Sequence, residues 1–93
     1  MANAVVTIKI MPESPEVNLK KLEIKAKKKI KEFVEEDSEM RVEIEPVAFG
    51  LKALKITFVM DESLGSPDPL ADSISEFEDV ASAEIVDVRR ALG

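Results

Sequence analysis

The central stretch of the chain reads Pro46-Val47-Ala48-Phe49-Gly50-Leu51-Lys52-Ala53-Leu54-Lys55-Ile56. Two apolar, strand-like runs meet at Phe49-Gly50, and because glycine adopts backbone angles that other residues avoid, we predict a tight reversal there. The resulting hairpin places a phenylalanine at its tip beside Lys52, in a chain with only four phenylalanines. Phe49 then either folds back onto the local core or enters a pocket of a partner from a rigid tip.

Alternation of apolar and polar residues predicts strands on both sides of this hairpin and towards both ends of the chain. The predicted strands cover residues 4–10, 40–48, 54–60 and 81–90. Pro46 marks its strand as an edge or a bulge, because proline cannot donate a hydrogen bond to a central ladder. In the last strand, Val86 and Val88 are expected to face the core, which places Arg89 on the same side as Asp87 and Arg90 on the other.

Two segments show the three- and four-residue spacing of an amphipathic helix. The first follows Asn18, a suitable N-cap, and its apolar positions are Leu19, Leu22, Ala26, Ile30 and Phe33. The second follows Asp68-Pro69, which fits an N-cap and a proline in the first turn, and its apolar positions are Leu70, Ile74 and Phe77. Residues 35–39, between the first helix and the second strand, are expected to form a solvated loop.

The predicted order is strand, helix, strand, strand, helix, strand, in which each helix connects strands of one sheet. The simplest packing is a ferredoxin-like α+β sandwich of βαββαβ order, with a four-stranded antiparallel sheet and both helices on one face. A chain of 93 residues suits one domain. We therefore expect a single domain over residues 1–93.

The composition excludes most catalytic and metal chemistry. The chain has no cysteine and no histidine, which removes thiol nucleophiles, most transition-metal sites and the usual general base. Its three glycines are isolated, so no glycine-rich phosphate loop exists. The acidic stretches at residues 35–39 and 76–79 lack the spacing of a calcium loop and are interpreted as solvated charge. We expect no enzymatic activity, no cofactor, no bound metal and no direct nucleotide binding.

The net charge of −6 hides a segregation of charge along the chain. The first predicted helix is rich in lysine and carries Lys20, Lys21, Lys25, Lys27, Lys28, Lys29 and Lys31. The acidic total argues against strong nucleic-acid binding, while the basic helix leaves room for a local contact with an anion. An RNA-stacking sheet is also a poor match, because Phe58 is expected on the core face.

No segment of the sequence is typical of a targeting signal or of a membrane span. Residues 4–11 are apolar only in part, include Lys9 and stop at Pro12, which makes them too short for either purpose. The lack of cysteine fits a reducing compartment. We therefore expect a cytoplasmic protein.

Four segments of the chain carry a resemblance to a known family. They are Val6-Thr7-Ile8-Lys9-Ile10-Met11-Pro12, Pro15-Glu16-Val17-Asn18-Leu19, Pro46-Val47-Ala48-Phe49-Gly50-Leu51-Lys52-Ala53-Leu54 and Val86-Asp87-Val88-Arg89-Arg90. The chain resembles archaeal elongation factor 1-beta and, more distantly, the C-terminal exchange domain of its eukaryotic counterpart. The resemblance covers essentially the whole chain and implies the same ferredoxin-like sandwich. Its most specific element is Phe49-Gly50-Leu51-Lys52.

The resemblance implies a guanine-nucleotide exchange factor for the translational GTPase elongation factor 1-alpha, binding its GDP form and its nucleotide-free form. Such a factor speeds GDP release so that GTP can reload and translation elongation can continue. Eukaryotic relatives place the hairpin phenylalanine, here Phe49, against the GTPase. The expected contact residues at the hairpin are Phe49, Gly50 and Lys52.

Those relatives also insert a penultimate lysine near the magnesium and phosphate site of the GTPase. This sequence instead ends Arg89-Arg90-Ala91-Leu92-Gly93. Either Arg89 or Arg90 supplies the cation, or archaeal members of the family perturb the site differently. Both arginines are therefore candidate contact residues.

The alternative from a different functional class is a small ferredoxin-like regulatory module, or one that binds RNA or a metabolite. A metabolite site needs polar groups that converge in a pocket, whereas docking to a protein is served by an aromatic side chain at the tip. The placement of Phe49 discriminates between the two.

Overall fold

The computed structural model describes residues 3–34 and 40–91. Its elements are β1 (Asn3–Pro12), α1 (Leu19–Val34), β2 (Arg41–Pro46), β3 (Lys52–Asp61), α2 (Asp68–Ser75) and β4 (Val80–Ala91), with short 3-10 turns at Ala48–Gly50 and Glu62–Leu64. The strands form one antiparallel sheet in the spatial order β2-β3-β1-β4. The predicted ferredoxin-like βαββαβ arrangement is confirmed. Neither described helix is long and apolar enough to cross a membrane.

Both helices cover one face of the sheet with the apolar stripes that the sequence predicts. The buried helix residues include Leu22, Ala26, Ile30, Leu70 and Ile74. They pack against the inward-facing residues of β1 and β3, which are Ala4, Val6, Ile8, Ile10, Leu54, Ile56, Phe58 and Met60. Each large apolar side chain that is fully buried stabilises the fold by about 1.5–3 kcal/mol.

The two helices begin differently. The Oδ1 atom of Asn18 accepts hydrogen bonds from the backbone N–H groups of Lys20 and Lys21, at 3.0 and 3.2 Å, which confirms the predicted N-cap. The prediction of Asp68 as the second N-cap is wrong, because Asp68 is already the first residue of α2 and its N–H donates to Ser66 Oγ at 3.1 Å. The predicted loop at residues 35–39 lies outside the described residues.

The opposite face of the sheet is covered by neither described helix and is largely polar. The register pairs Val5 with Val59 and Thr7 with Thr57 on this open face, and the two threonine hydroxyls hydrogen bond at 3.1 Å. The two outer strands add the charged residues Arg41, Glu43, Glu45, Glu84, Asp87 and Arg89. Phe58 is buried on the helix side, as predicted, and the strand residues of the described open face include no aromatic side chain for base stacking.

The last strand departs from simple alternation. The register between β1 and β4 shifts between Thr7 and Ile8, which leaves Val86 as an extra, bulged residue. Val86 and Val88 are 44% and 55% exposed, so the prediction that both face the core is wrong. Val88 does lie opposite Val6 on the helix side, but β4 is an edge strand and leaves it half uncovered.

Candidate partner-binding site

The β2–β3 hairpin closes through a turn at residues 48–51. The Leu51 N–H donates to the Ala48 carbonyl at 3.2 Å. Phe49 has φ 60° and ψ 32°, and Gly50 has φ 77°, so both central residues have the left-handed backbone of a type I′ turn. Gly50 adopts these angles without a steric penalty, which explains why the chain reverses here.

Phe49 is unusual in both its backbone and its exposure. Left-handed backbone costs a residue with a Cβ atom about 1–2 kcal/mol, and bulky residues adopt it rarely. The side chain is 94% exposed, so burial within the chain does not offset this cost, and the alternative in which Phe49 folds back onto the core is wrong. Strain held at an exposed aromatic is a sign of function rather than of packing.

A cleft of about 300 Å³ lies beside the hairpin tip. Its walls come from the hairpin, from the connector after β1 and from the start of α1, through Pro12, Ser14, Pro15, Val17, Leu19, Gly50 and Lys52. The Glu13 N–H donates to the Asp79 carbonyl at 2.9 Å and ties this connector to the segment before β4. The structure therefore brings Phe49, Gly50 and Lys52 together at one end of the molecule, next to a cleft.

The two C-terminal arginines lie on opposite faces of β4, as predicted. Arg89 is on the open face, where its Nε atom is 2.9 Å from Asp87 Oδ2. Arg90 is on the helix side, where its Nε atom is 3.0 Å from Glu62 Oε1. The arginine side chains remain 78% and 70% exposed, so both interactions are weak surface ion pairs.

The structure does not bring the arginines to the hairpin tip. Arg89 pairs with Val5 near the start of β1, whereas Lys52 lies level with Pro12 at its end. The usual rise of a strand makes this separation about 23 Å, in a molecule with principal extents of 42 × 21 × 19 Å. The predicted contact residues therefore form two groups at opposite ends of the sheet, and one small patch cannot include both.

A third arginine lies on the same face of the sheet as Arg89 but on the opposite edge strand. Arg41 begins β2, pairs with Thr57, and lines an open groove of about 710 Å³ together with Val5 and Val59. It forms no ion pair with any residue that the structure describes. Sequence reasoning missed Arg41 because only the strand register shows that it shares a face with Arg89.

The described part of the chain has no metal-binding cluster and no buried polar side chain. Residues 3–34 and 40–91 include no group of acidic side chains arranged to hold a metal ion, and no polar or charged side chain in these ranges is buried. The groove on the open face carries Arg41 and Glu43 at its surface. A metabolite site would instead need convergent polar groups in an enclosed pocket.

A family model described as the EF-1 guanine nucleotide exchange domain matches residues 5–91. The chain belongs to this family. The matched range includes every predicted contact residue, Phe49, Gly50, Lys52, Arg89 and Arg90. The resemblance inferred from the four sequence segments is thereby confirmed.

Archaeal relatives of this exchange family are similar to the chain over nearly its whole length. Elongation factor 1-beta from Methanothermobacter thermautotrophicus is 41% identical over 93 residues, which cover 99% of this chain and 100% of the relative. The protein of the same name from Methanocaldococcus jannaschii is 43% identical over 93 residues, with coverage of 98% and 100%. That from Methanosphaera stadtmanae is 38% identical over 92 residues, with coverage of 99% and 100%.

A solved structure supports the fold independently of the family. The de novo designed protein Foldit4 superimposes with a TM-score of 0.62 and covers 98% of each chain, at 18% sequence identity. At this identity the likeness concerns the architecture alone. A natural exchange-family sequence and a designed one thus share one solution for packing two helices on a four-stranded sheet.

Proposed function

We propose that the protein is a guanine-nucleotide exchange factor for the translational GTPase elongation factor 1-alpha, acting in the cytoplasm as one domain over residues 1–93. Membership in the EF-1 exchange family supports the activity, and the name of the archaeal relatives supports the partner. The structural observation that carries the contact is Phe49, which is 94% exposed on a strained turn. The protein performs no covalent chemistry in this role.

Phe49 acts in this proposal as the anchor at one end of the molecule. A phenylalanine can bury about 150–250 Å² in a partner's pocket, and its loss should weaken binding by about 1–3 kcal/mol. The turn fixes the backbone of Phe49 before binding, so little backbone freedom is lost on docking. Lys52 and the adjacent cleft extend the contact around the ring.

The arginine end supplies a second contact to the GTPase. A guanidinium presents a planar fork of donors that suits carboxylate or phosphate oxygens. The exposed ion pairs of Arg89 and Arg90 are weak enough to be exchanged for such a partner. Arg41, without an ion pair among the described residues, offers a further cation on the open face.

Nucleotide exchange then follows from thermodynamic linkage between the two ligands of the GTPase, which are GDP and the exchange factor. If the factor binds the nucleotide-free GTPase more tightly than the GDP form, it must weaken GDP binding by the same factor. Two contacts at opposite ends of a rigid sheet can hold two separate parts of the GTPase in the arrangement of the nucleotide-free form. The differential affinity of these contacts sets the acceleration of GDP release.

The test is the release of fluorescent GDP from elongation factor 1-alpha of the same organism, followed by stopped-flow fluorescence with excess unlabelled GDP. Substoichiometric protein should accelerate release over many turnovers, and the protein alone should not hydrolyse GTP. An equal concentration of the thermally unfolded protein serves as the control. No acceleration at saturating concentration would reject the proposed function.

A further inference from the structure

The outer face of α1 is an exposed basic surface with an apolar centre. We call it the lysine face and define it as Lys20, Lys21, Ile24 and Lys28. The lysines lie three or four residues from Ile24, so all four side chains share one side of the helix. All four are exposed, and Ile24 is 61% exposed.

The lysines of this face lack neutralising partners in the described part of the chain. Lys25 pairs with Asp79 and Lys27 pairs with Glu23 along the margins of the helix. Lys20, Lys21 and Lys28 form no ion pair with a described residue. The whole chain has 19 acidic residues against 13 basic ones, yet none of the acidic side chains that the structure describes forms an ion pair with these three lysines.

Ile24 adds an exposed apolar side chain to the centre of the lysine face. The apolar stripe of α1 is already buried through Leu22, Ala26 and Ile30. Ile24 points away from that stripe and contributes nothing to the core. A molecule that binds the surrounding lysines would also cover part of Ile24 and gain from its burial.

The composition of the face indicates the class of that molecule. Lysine is depleted in protein–protein interfaces, whereas helix lysines are typical ligands of nucleic-acid phosphates. A membrane-surface helix exposes a wide apolar face, but the wide apolar face of α1 is buried in the core. A phosphate backbone with apolar ribose surface between its charges suits three lysines around one isoleucine.

We propose that the lysine face binds the phosphate backbone of structured RNA, weakly and without reading sequence. Lys20 and Lys28 are about 12 Å apart along the helix axis, which limits the contact to a few phosphates. The face begins at the hairpin end of the molecule, because Leu19 and Gly50 line the same cleft. This binding goes beyond nucleotide exchange and does not require it.

The test is fluorescence anisotropy of a labelled RNA hairpin with an A-form stem, titrated with the full chain at several salt concentrations. Three phosphate contacts predict a slope of about −2.1 to −2.7 in log affinity against log salt, and therefore roughly 20- to 40-fold weaker binding at 200 mM than at 50 mM salt. Absence of measurable binding at 50 mM salt would overturn the proposal.

Matched variants locate the binding surface. The variant Lys20→Gln/Lys28→Gln should lose about 1.5 units of salt slope, while Lys9→Gln/Lys55→Gln, with the same change of charge on the open face of the sheet, should keep it. Ile24→Ser should weaken binding several-fold and leave the slope unchanged. Equal effects of the two double variants would overturn the proposal, since the binding would then follow net charge rather than this face.

The same variants exclude the other classes of partner. The GDP-release assay should give the same acceleration with Lys20→Gln/Lys28→Gln as with the wild type, which also shows that the variant is folded. Loss of exchange with RNA binding unchanged would overturn the proposal in favour of a protein contact. Co-sedimentation with vesicles of about 30% anionic lipid, in the absence of RNA binding, would overturn it in favour of a membrane contact.

Discussion

The Nε atom of Arg89 lies 2.9 Å from the Oδ2 atom of Asp87 on the open face of the sheet, at the end of β4 that is farthest from Phe49. The two side chains are 78% and 44% exposed. Water screens a pair with this exposure, which contributes about 0–1 kcal/mol. The strand register places Arg89 on the face that also carries Arg41, and an anionic group of a partner can replace Asp87 at low cost.

This arrangement predicts unequal roles for the two C-terminal arginines. Arg89→Ala should slow stimulated GDP release about tenfold, or 1.4 kcal/mol, because it removes a cation that shares the open face with Arg41. Arg90→Ala should slow it less than about threefold, because Arg90 points to the helix side and pairs with Glu62. The measurement is the second-order rate constant for GDP release at subsaturating factor.

The double variant Arg89→Ala/Arg90→Ala completes that experiment. Equal losses in the single variants would contradict the assignment to the open face. Full activity of the double variant would show that this chain dispenses with a C-terminal cation. The penultimate lysine of eukaryotic relatives would then have no functional equivalent among these two positions.

Replacing Phe49 with asparagine should give a variant that is more stable but less active in nucleotide exchange. Asparagine adopts the left-handed backbone of a type I′ turn more readily than phenylalanine does, so Phe49→Asn should stabilise the fold by about 0.5–1 kcal/mol, or a few degrees in Tm. The same change removes the ring and should weaken GTPase binding by about 1–3 kcal/mol. Thermal melts and the exchange assay measure the two effects separately.

Ile44→Ala is the matched control for Phe49→Asn, since Ile44 is also exposed, at 53%, but lies within β2 away from the tip. It should leave exchange unchanged. A large fall in Tm for Phe49→Asn would mean that the ring packs on the chain after all. If Phe49→Asn slows exchange no more than Ile44→Ala does, Phe49 does not take part in the contact with the GTPase.

The fold follows from local pattern, but the layout of the site does not. Leu22, Ala26 and Ile30 recur at helical spacing, and the strand residues Val6, Ile8 and Ile10 alternate with polar ones. The buried faces can therefore be predicted from residues that are close together in the sequence. The hairpin tip can also be predicted from local sequence, because Gly50 favours the turn and the adjacent Phe49 supplies the exposed ring. These features need no knowledge of which strands pair.

The separation of the two groups depends on pairing between residues far apart in the sequence. Arg89 lies opposite Val5 and far from Lys52 because β1 is central and pairs with both β3 and β4. The bulge at Val86 has the same origin, since the shift opposite Thr7 and Ile8 is a property of the pair of strands and not of either sequence alone. Strand register was therefore the missing information, and it decides which cations share a face.

The exposed edge of β4 predicts a contrast between two paired valines. Val6 is fully buried and Val88 is 55% exposed, although they lie opposite each other on the helix side. Val6→Ala should lower the free energy of unfolding by about 2 kcal/mol, from lost burial and the cavity left behind. Val88→Ala should lower it by less than about 1 kcal/mol. Urea unfolding of both variants measures the difference, and equal losses would contradict the half-covered position of Val88.

Asp61 predicts a pH dependence of stability. Its Oδ1 atom accepts a hydrogen bond from the Ser63 N–H at 2.8 Å, and this bond, with a smaller contribution from the Ser63 hydroxyl, lowers the pKa of Asp61. A carboxylate with a lowered pKa in the folded state stabilises above its unfolded pKa and loses that effect as pH falls through the folded value. The stability difference between wild type and Asp61→Ala should be full at pH 7 and shrink towards zero below about pH 4.

Urea unfolding of wild type and Asp61→Ala across this range tests that prediction. Ser75→Ala, which removes a hydroxyl that donates to the Asp72 carbonyl, should show a difference independent of pH. A constant difference for Asp61→Ala as well would mean that the ionised form of Asp61 has no advantage in the folded state.

The distance between the two groups of proposed contact residues predicts how their losses combine. Lys52 and Arg89 are separated by about 23 Å along the sheet, and Phe49 lies beyond Lys52 in the turn. Effects at sites farther apart than about 7–10 Å usually add within about 0.3–0.5 kcal/mol. The double variant Phe49→Ala/Arg89→Ala should therefore slow stimulated GDP release by the product of the two single fold-changes, measured at subsaturating factor. If the double variant is no slower than the slower single variant, losing one contact already abolishes the other. The rigid sheet would then not hold two parts of the GTPase independently, and the two ends would act as one coupled contact that forms only when both are present.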